Sequence, residues 1–288
     1  YLGCTQNDVP TPNTTVTEKR NLFEKLMATN KKNITELEQL VEAQKDTNDK
    51  DTKEVNISKP PPSKTITSKK KMKKAALSSL PNVRAWEYNM CGHSEQSVER
   101  YLELAHLSLA DLKPVPTPCL DDHHFAAEEF ESKSHLSAVC ARIVFKALYV
   151  ARIGRPDLLW TVSSLAREVT QWNVVCDKRL HRLMCYMHNT QEWVQTCFVG
   201  NKPSECWLAL FCDASFAGDL RDSKSTSGAF LVLVGTQTFV PISWLCKKQG
   251  AVSHSSSESE IIALDAALRM EGLPAIMLWE PVRSLIHL

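Results

Sequence analysis

One stretch constrains the fold of this chain more than any other. Cys206-Trp207-Leu208-Ala209-Leu210-Phe211-Cys212 is a nearly unbroken apolar run, followed at once by Asp213. Such a run reads as a buried strand. Two more strand-like segments follow, Ser227 to Val234 (ended by Gly235) and Phe239 to Cys246, with short turns between them. The expectation is three antiparallel strands in a meander, with Pro241 marking an edge or a bulge. A helix is expected from about Ser257 to at least Met270, interrupted by Gly272 and Pro274 and resuming from Ala275 to Leu285. The stretch therefore sets one carboxylate, Asp213, at the end of a strand and another, Glu260, at the start of a helix.

The sequence before it falls into two parts. Residues 1 to about 85 are rich in Lys, Glu, Asn, Thr and Pro and poor in aromatics, the composition of a largely disordered region. Within it, Leu22, Phe23, Leu26, Met27, Ile34, Leu37, Leu40 and Val41 recur at helical spacing, so Glu18 to Gln44 reads as an amphipathic helix. That helix either binds a partner or is marginal alone. Pro60-Pro61-Pro62 breaks any helix. Ser68 to Lys74 is a basic cluster, read either as an import or phosphate-binding arm or as a solvated charge run. From about 86 to 200 the chain reads as a small bundle of helices: Val98 to Leu112, Leu136 to Ala151, one starting at Pro156 and running through Arg167, and Val175 to Thr190.

Composition narrows the functions open to it. The formal net charge is +1, so attraction to nucleic acid must come from local patches. Ten cysteines are scattered without a CxxC pair and read as reduced thiols of an intracellular protein. No apolar run approaches the ~20 residues of a membrane span. Asn13, Asn33 and Asn56 stand in glycosylation sequons, but no signal peptide is in view. The first residue is Tyr1 rather than Met, so the N-terminus reads as cut from something longer.

Hydrolysis of a phosphodiester by two Mg²⁺ ions needs several carboxylates around ions about 4 Å apart. A carboxylate at the end of a central strand, facing another on a packed helix, supplies half of such a site. Each of the two also has a plainer reading. Asp213 precedes a turn, and Glu260 stands three residues after Ser257 as in a capping box. Asp265 lies about 140° around the helix from Glu260 and should not join it. Lys224, Ser225 and Thr226 form a basic, hydroxyl-rich turn that either holds a nucleic-acid phosphate or merely turns the chain. Lys247 and Lys248 could track a duplex, while Trp244 reads as core. His181, Cys185 and His188 share a helix face with Cys176 nearby, yet one helix rarely supplies all the ligands of zinc. His123-His124 beside Asp121-Asp122 reads as a solvated loop.

Asp213-Ala214-Ser215-Phe216-Ala217-Gly218-Asp219, Lys224 to Gly228, Ile242-Ser243-Trp244, Lys247-Lys248-Gln249 and Ser256-Ser257-Glu258-Ser259-Glu260 follow one another in order. This wording resembles the ribonuclease H domain of copia-type retrotransposon Pol polyproteins. Tyr101-Leu102, the Lys113 to Pro118 segment and Arg155-Pro156-Asp157 resemble the segment joining that family's reverse transcriptase to its ribonuclease H. The resemblance covers about Val98 to Met270. It implies an α/β fold with an incomplete ribonuclease H-like mixed sheet in 201–288, preceded by a thumb- or connection-like bundle in 86–200. It implies Mg²⁺-dependent cleavage of RNA in RNA–DNA hybrids, with Asp213 and Glu260 as catalytic metal ligands and the rest of a Pol polyprotein as partner. Glu258 is the weaker candidate, since it points about 160–200° away from Glu260 on the helix. No membrane and no small-molecule substrate are implied. The chain departs from the family pattern in two respects. Nothing after Met270 resembles the strand that carries the family's third carboxylate, and the Tyr-x-Asp-Asp hairpin of a polymerase is missing. The alternative is a catalytically dead remnant that binds nucleic acid or a partner at most.

Overall fold

The structure is a computed structural model that describes residues 4–10, 13–46, 83–120, 122–219 and 221–286. Strand β1 (Thr5–Val9) leads into the long helix α1 (Asn13–Asp46), and β2 (Arg84–Asn89) follows. Then come α2 (Cys91–Ala105), the short α3 (Ala127–Glu131), α4 (Cys140–Ile153), α5 (Leu159–Arg167) and α6 (Val174–Asn189). Strands β3 (Gln195–Val199), β4 (Trp207–Ser215), β5 (Thr226–Gly235) and β6 (Thr238–Lys248) precede α7 (Ser256–Ala267) and α8 (Leu273–Ile286). The six strands form one sheet in the order β1-β2-β3-β6-β5-β4.

The meander expected from the sequence is β4-β5-β6. Every strand pair is antiparallel, so the expected mixed sheet is corrected. The chain turns back through short connections after β4 and β5, and α7 is followed by α8 rather than by a further strand. Pro241 sits at a bulge. Val232 pairs with Pro241 while Leu231 pairs with Ser243, leaving Ile242 as the extra residue. Proline has no N–H to donate to the ladder, which a bulge tolerates.

The sheet reaches across all three parts of the sequence. The polar segment up to about residue 85 contributes β1 and the start of β2, and α1 extends beyond the expected Glu18 to Gln44. This helix docks on the sheet. Val16 packs with Ala85 and Phe198, and Phe23 packs with Val232 and Val234. Arg20 Nε donates to the Thr236 carbonyl at 3.2 Å. The proline triplet and the Lys69 to Lys74 cluster lie outside the described residues.

Helices α2, α4, α5 and α6 share a core that includes Val98, Ile143, Val144, Val162, Leu180 and Met184. The expected helices are present with shifted ends: the first begins at Cys91 and stops at His106, which takes a left-handed φ of 55°. Arg155 links the elements. Its Nε and one terminal nitrogen donate to the two Asp157 oxygens at 2.9 and 2.8 Å, and it also donates to the Thr190 carbonyl at 2.8 Å and to Thr190 Oγ1 at 2.7 Å. It thereby caps the C-terminus of α6.

Helices α7 and α8 are continuous where interruption was expected. A π-helical turn over Leu268–Gly272 joins them. Its wider bonding absorbs Pro274, and Gly272 is buried against Leu210: a Cβ there would stand 3.1 Å from Leu210 Cδ2.

Candidate functional site

Strand alternation decides which way the residues of β4 face. Gly272 meets Leu210, so Leu208, Leu210, Cys212 and Ala214 face the α7–α8 layer. Asp213 faces the opposite side. It is exposed, paired in register with Gly228, and borders a recess of about 360 Å³ with Phe211, Trp160, Phe230 and Trp244. Glu260 is exposed near the start of α7, whose buried stripe is Ser259, Ala263 and Ala267 at four-residue spacing. The two carboxylates flank one thiol. Burial first, then Glu260 and Asp213, push the Cys212 thiol pKa up.

The cap of α7 differs from the expected one. Ser255 Oγ accepts the Glu258 N–H at 3.1 Å, and Glu258 Oε2 accepts the His254 N–H at 2.6 Å. Glu258 is therefore the capping carboxylate, and the Ser257–Glu260 box is corrected. Glu260 stands outside the cap.

In the sequence Gln249 stands out only as the last residue of the Lys247-Lys248-Gln249 motif, with no role of its own, yet it ties the strands to α7. Its Nε2 donates to Ser227 Oγ at 3.0 Å and to the Ser259 carbonyl at 2.9 Å, and its Oε1 accepts from Ser253 Oγ at 3.0 Å. One buried amide thus ties β5, β6 and the residue beside Glu260. The available signal was an amide followed by a run of serines. Trp244, expected in the core, is half-buried against it, and its Nε1 donates to the Ala151 carbonyl at 2.9 Å.

The loop between β4 and β5 is held by ion pairs. Lys248 Nζ lies 2.6 Å from Asp219 and 2.8 Å from Asp222, and Arg221 grips both oxygens of Glu168 at 2.7 and 2.8 Å. Burial alone would raise the Asp219 pKa, but donation from Lys248 and Arg221 outweighs it and holds the carboxyl well below the usual range. Acids Glu168, Asp219 and Asp222 stand against bases Arg221, Lys224 and Lys248, so the loop offers no surplus of positive charge. Ser225 is fully buried and its Oγ accepts the Ala217 N–H at 3.1 Å, which corrects its expected role as a phosphate contact. Thr226 is half-buried, Lys248 is ion-paired and Lys247 is exposed.

The donor set does not fit a two-ion Mg²⁺ centre. Among the described residues, no three His, Cys, Asp or Glu side chains are placed to hold a metal ion. Asp265 instead pairs with Arg269 at 2.8 Å. The helical His–Cys stripe is taken up otherwise, with His181 Nδ1 on the Tyr101 hydroxyl at 2.8 Å. Asp122 pairs with Arg179.

Known proteins share this sequence in part. A transposon Ty5-1 protein of Saccharomyces cerevisiae is 29% identical over 121 residues, 42% of this chain and 37% of the relative. The secreted RxLR effector protein 161 of Plasmopara viticola is 32% identical over 133 residues, 46% of this chain and 85% of the relative. The retrovirus-related Pol polyprotein from transposon RE2 of Arabidopsis thaliana is 32% identical over 162 residues, 54% of this chain but only 10% of that polyprotein. No family profile and no solved structure matches the chain.

Proposed function

The chain belongs to the Ty5/copia-type retrotransposon Pol-derived proteins, and on that premise we propose that it carries a ribonuclease H-type half site without nuclease activity of its own. Asp213 and Glu260 are the two carboxylates of that half site. The strand meander carries Asp213, and the capped α7, tied to the sheet by the Gln249 clamp, carries Glu260. The observation that supports the reading is the donor set: beyond burial, Glu260 and Asp213 both raise the Cys212 thiol pKa, yet among the described residues no three His, Cys, Asp or Glu side chains are placed to hold a metal ion. When bound, Mg²⁺ supplies the activation of water and the stabilisation of the leaving oxygen, which two carboxylates cannot organise for two ions. The role that remains is to bind nucleic acid, or the remainder of a Pol polyprotein.

The test is cleavage of a labelled RNA–DNA hybrid by folded protein over a range of Mg²⁺ concentrations, with Asp213→Asn alongside. No cleavage by either protein is expected. Cleavage by the parent that Asp213→Asn abolishes would overturn the half-site reading and establish an active nuclease.

A further inference from the structure

Apart from the carboxylate pair, the helical bundle encloses a recess that the nuclease reading leaves unused. It measures about 530 Å³ and lies between α2 and α6, closed by the loop that follows α2. Its walls are mainly apolar, with Ala105, Leu107, Val115, Leu120 and Leu136 among them. That volume and lining suit a small organic molecule.

Two features select the charge of such a molecule. Inside, Tyr101 and His181 form a hydrogen-bonded pair, and His181 Nε2 faces Cys185 Sγ at 3.6 Å. Burial holds the phenol protonated and the imidazole neutral. In the tautomer where the phenol donates to Nδ1, the imidazole proton stands on Nε2, opposite sulfur, a weak acceptor. A carboxylate oxygen is a stronger one.

The edge of the recess supplies matching charge. Among the described residues Arg182 donates to neutral oxygens there, the Thr117 carbonyl at 3.1 Å and Thr117 Oγ1 at 2.9 Å. Lys113 is exposed at the same edge. The nearby acids are already engaged: Asp177 by Ser134 and Trp172, each at 2.7 Å, and by His135 at 3.2 Å, and Asp111 by the Ser108 N–H and Oγ, each at 2.8 Å.

We propose that this recess binds a small amphiphilic carboxylate, its apolar chain against the α2–α6 wall and its carboxylate held by His181 Nε2–H, Arg182 and Lys113. It is a binding site and not a catalytic one. Isothermal titration of the full chain with sodium decanoate, below its micelle concentration, tests this. One site per chain is expected. Lys113→Glu, a change on an exposed side chain, should weaken it at least about tenfold, the worth of one charge-assisted contact. Ala105→Phe should block the recess; if that variant does not fold by circular dichroism, Lys113→Glu carries the test alone. Absence of decanoate binding, binding unchanged by Lys113→Glu, or equally tight binding of decylamine would each overturn the proposal.

Discussion

Arg155 offers the sharpest test of how the bundle is held. Its side chain is 3% exposed, and the paired Asp157 side chain is 31% exposed. Arg155→Ala removes a bidentate ion pair and two donations to Thr190 in one step. It also removes a guanidinium lying 5.4 Å from the Trp193 ring. Taking one partner out of a buried pair costs about 3–5 kcal/mol, because the other charge is left behind. Asp157 keeps some contact with water, which moves the expectation toward the lower end. The Thr190 carbonyl then loses a partner at the end of α6, and an unsatisfied buried acceptor costs about 1–3 kcal/mol. The two costs share one side chain and do not add in full. We expect a loss of about 4 kcal/mol, large against the 5–15 kcal/mol that stabilises a typical domain.

The assay is urea unfolding followed by far-ultraviolet circular dichroism, with Arg155→Lys beside Arg155→Ala. A lysine keeps the charge but has a single ammonium, which cannot reproduce the fork that spans Asp157 and Thr190. Arg155→Lys should therefore recover less than half of the loss. A loss below about 1 kcal/mol in Arg155→Ala, the range of exposed pairs, would refute the assignment of Arg155 as the link between α4, α5 and α6.

Two other outcomes follow from the site. The Asp219 carboxyl is depressed in the folded protein, so as pH falls the unfolded chain takes up the proton first. Its contribution is fully present above the usual carboxylate range near ~4 and is lost as pH falls through the lower folded value. Asp219→Asn should lower stability at neutral pH and flatten its acid dependence, and parallel pH curves for the two proteins would contradict the network. Cys212 should be alkylated faster by iodoacetamide at neutral pH in Glu260→Gln and in Asp213→Asn, since each change removes a negative charge that opposes the thiolate. An unchanged rate in either variant would show that this carboxylate does not flank the thiol.

The sequence reveals those parts of the fold that are written in apolar runs. The strands β4 to β6 stand out because Leu208, Leu210, Leu231 and Val232 leave little room for another reading. By contrast, β1 reads Thr-Gln-Asn-Asp-Val and sits at the sheet edge with four of its five residues exposed. It has no apolar face to detect, and its pairing with β2 joins residues some eighty positions apart. Phe23 and its periodic neighbours showed the helical period of α1, but not that its apolar side, which includes Val16 beyond the expected start, lies on the sheet. The cap of α7 shows a different limit. Ser255–Glu258 and Ser257–Glu260 both satisfy the capping pattern, so spacing alone cannot choose between them. The choice is tertiary: Gln249 fixes the Ser259 carbonyl, and with it the phase of the helix.

The same contacts limit how the carboxylate pair could be completed. Asp219 and Asp222 are the acids nearest in sequence to Asp213, yet moving either toward Cys212 would strip Lys248 of one of these two partners. Losing Asp219 would also leave Arg221 with Glu168 alone. Removing one member of a partly buried ion network leaves uncompensated charge, so these acids belong to the loop and not to a metal. Glu258 is held by the α7 cap, and Glu271 by Ser243 Oγ at 2.5 Å. Each nearby acid already has a structural partner. Among the described residues β4 is an edge strand that pairs only with β5. An added strand would find unpaired backbone groups to bond along that edge, beside Asp213.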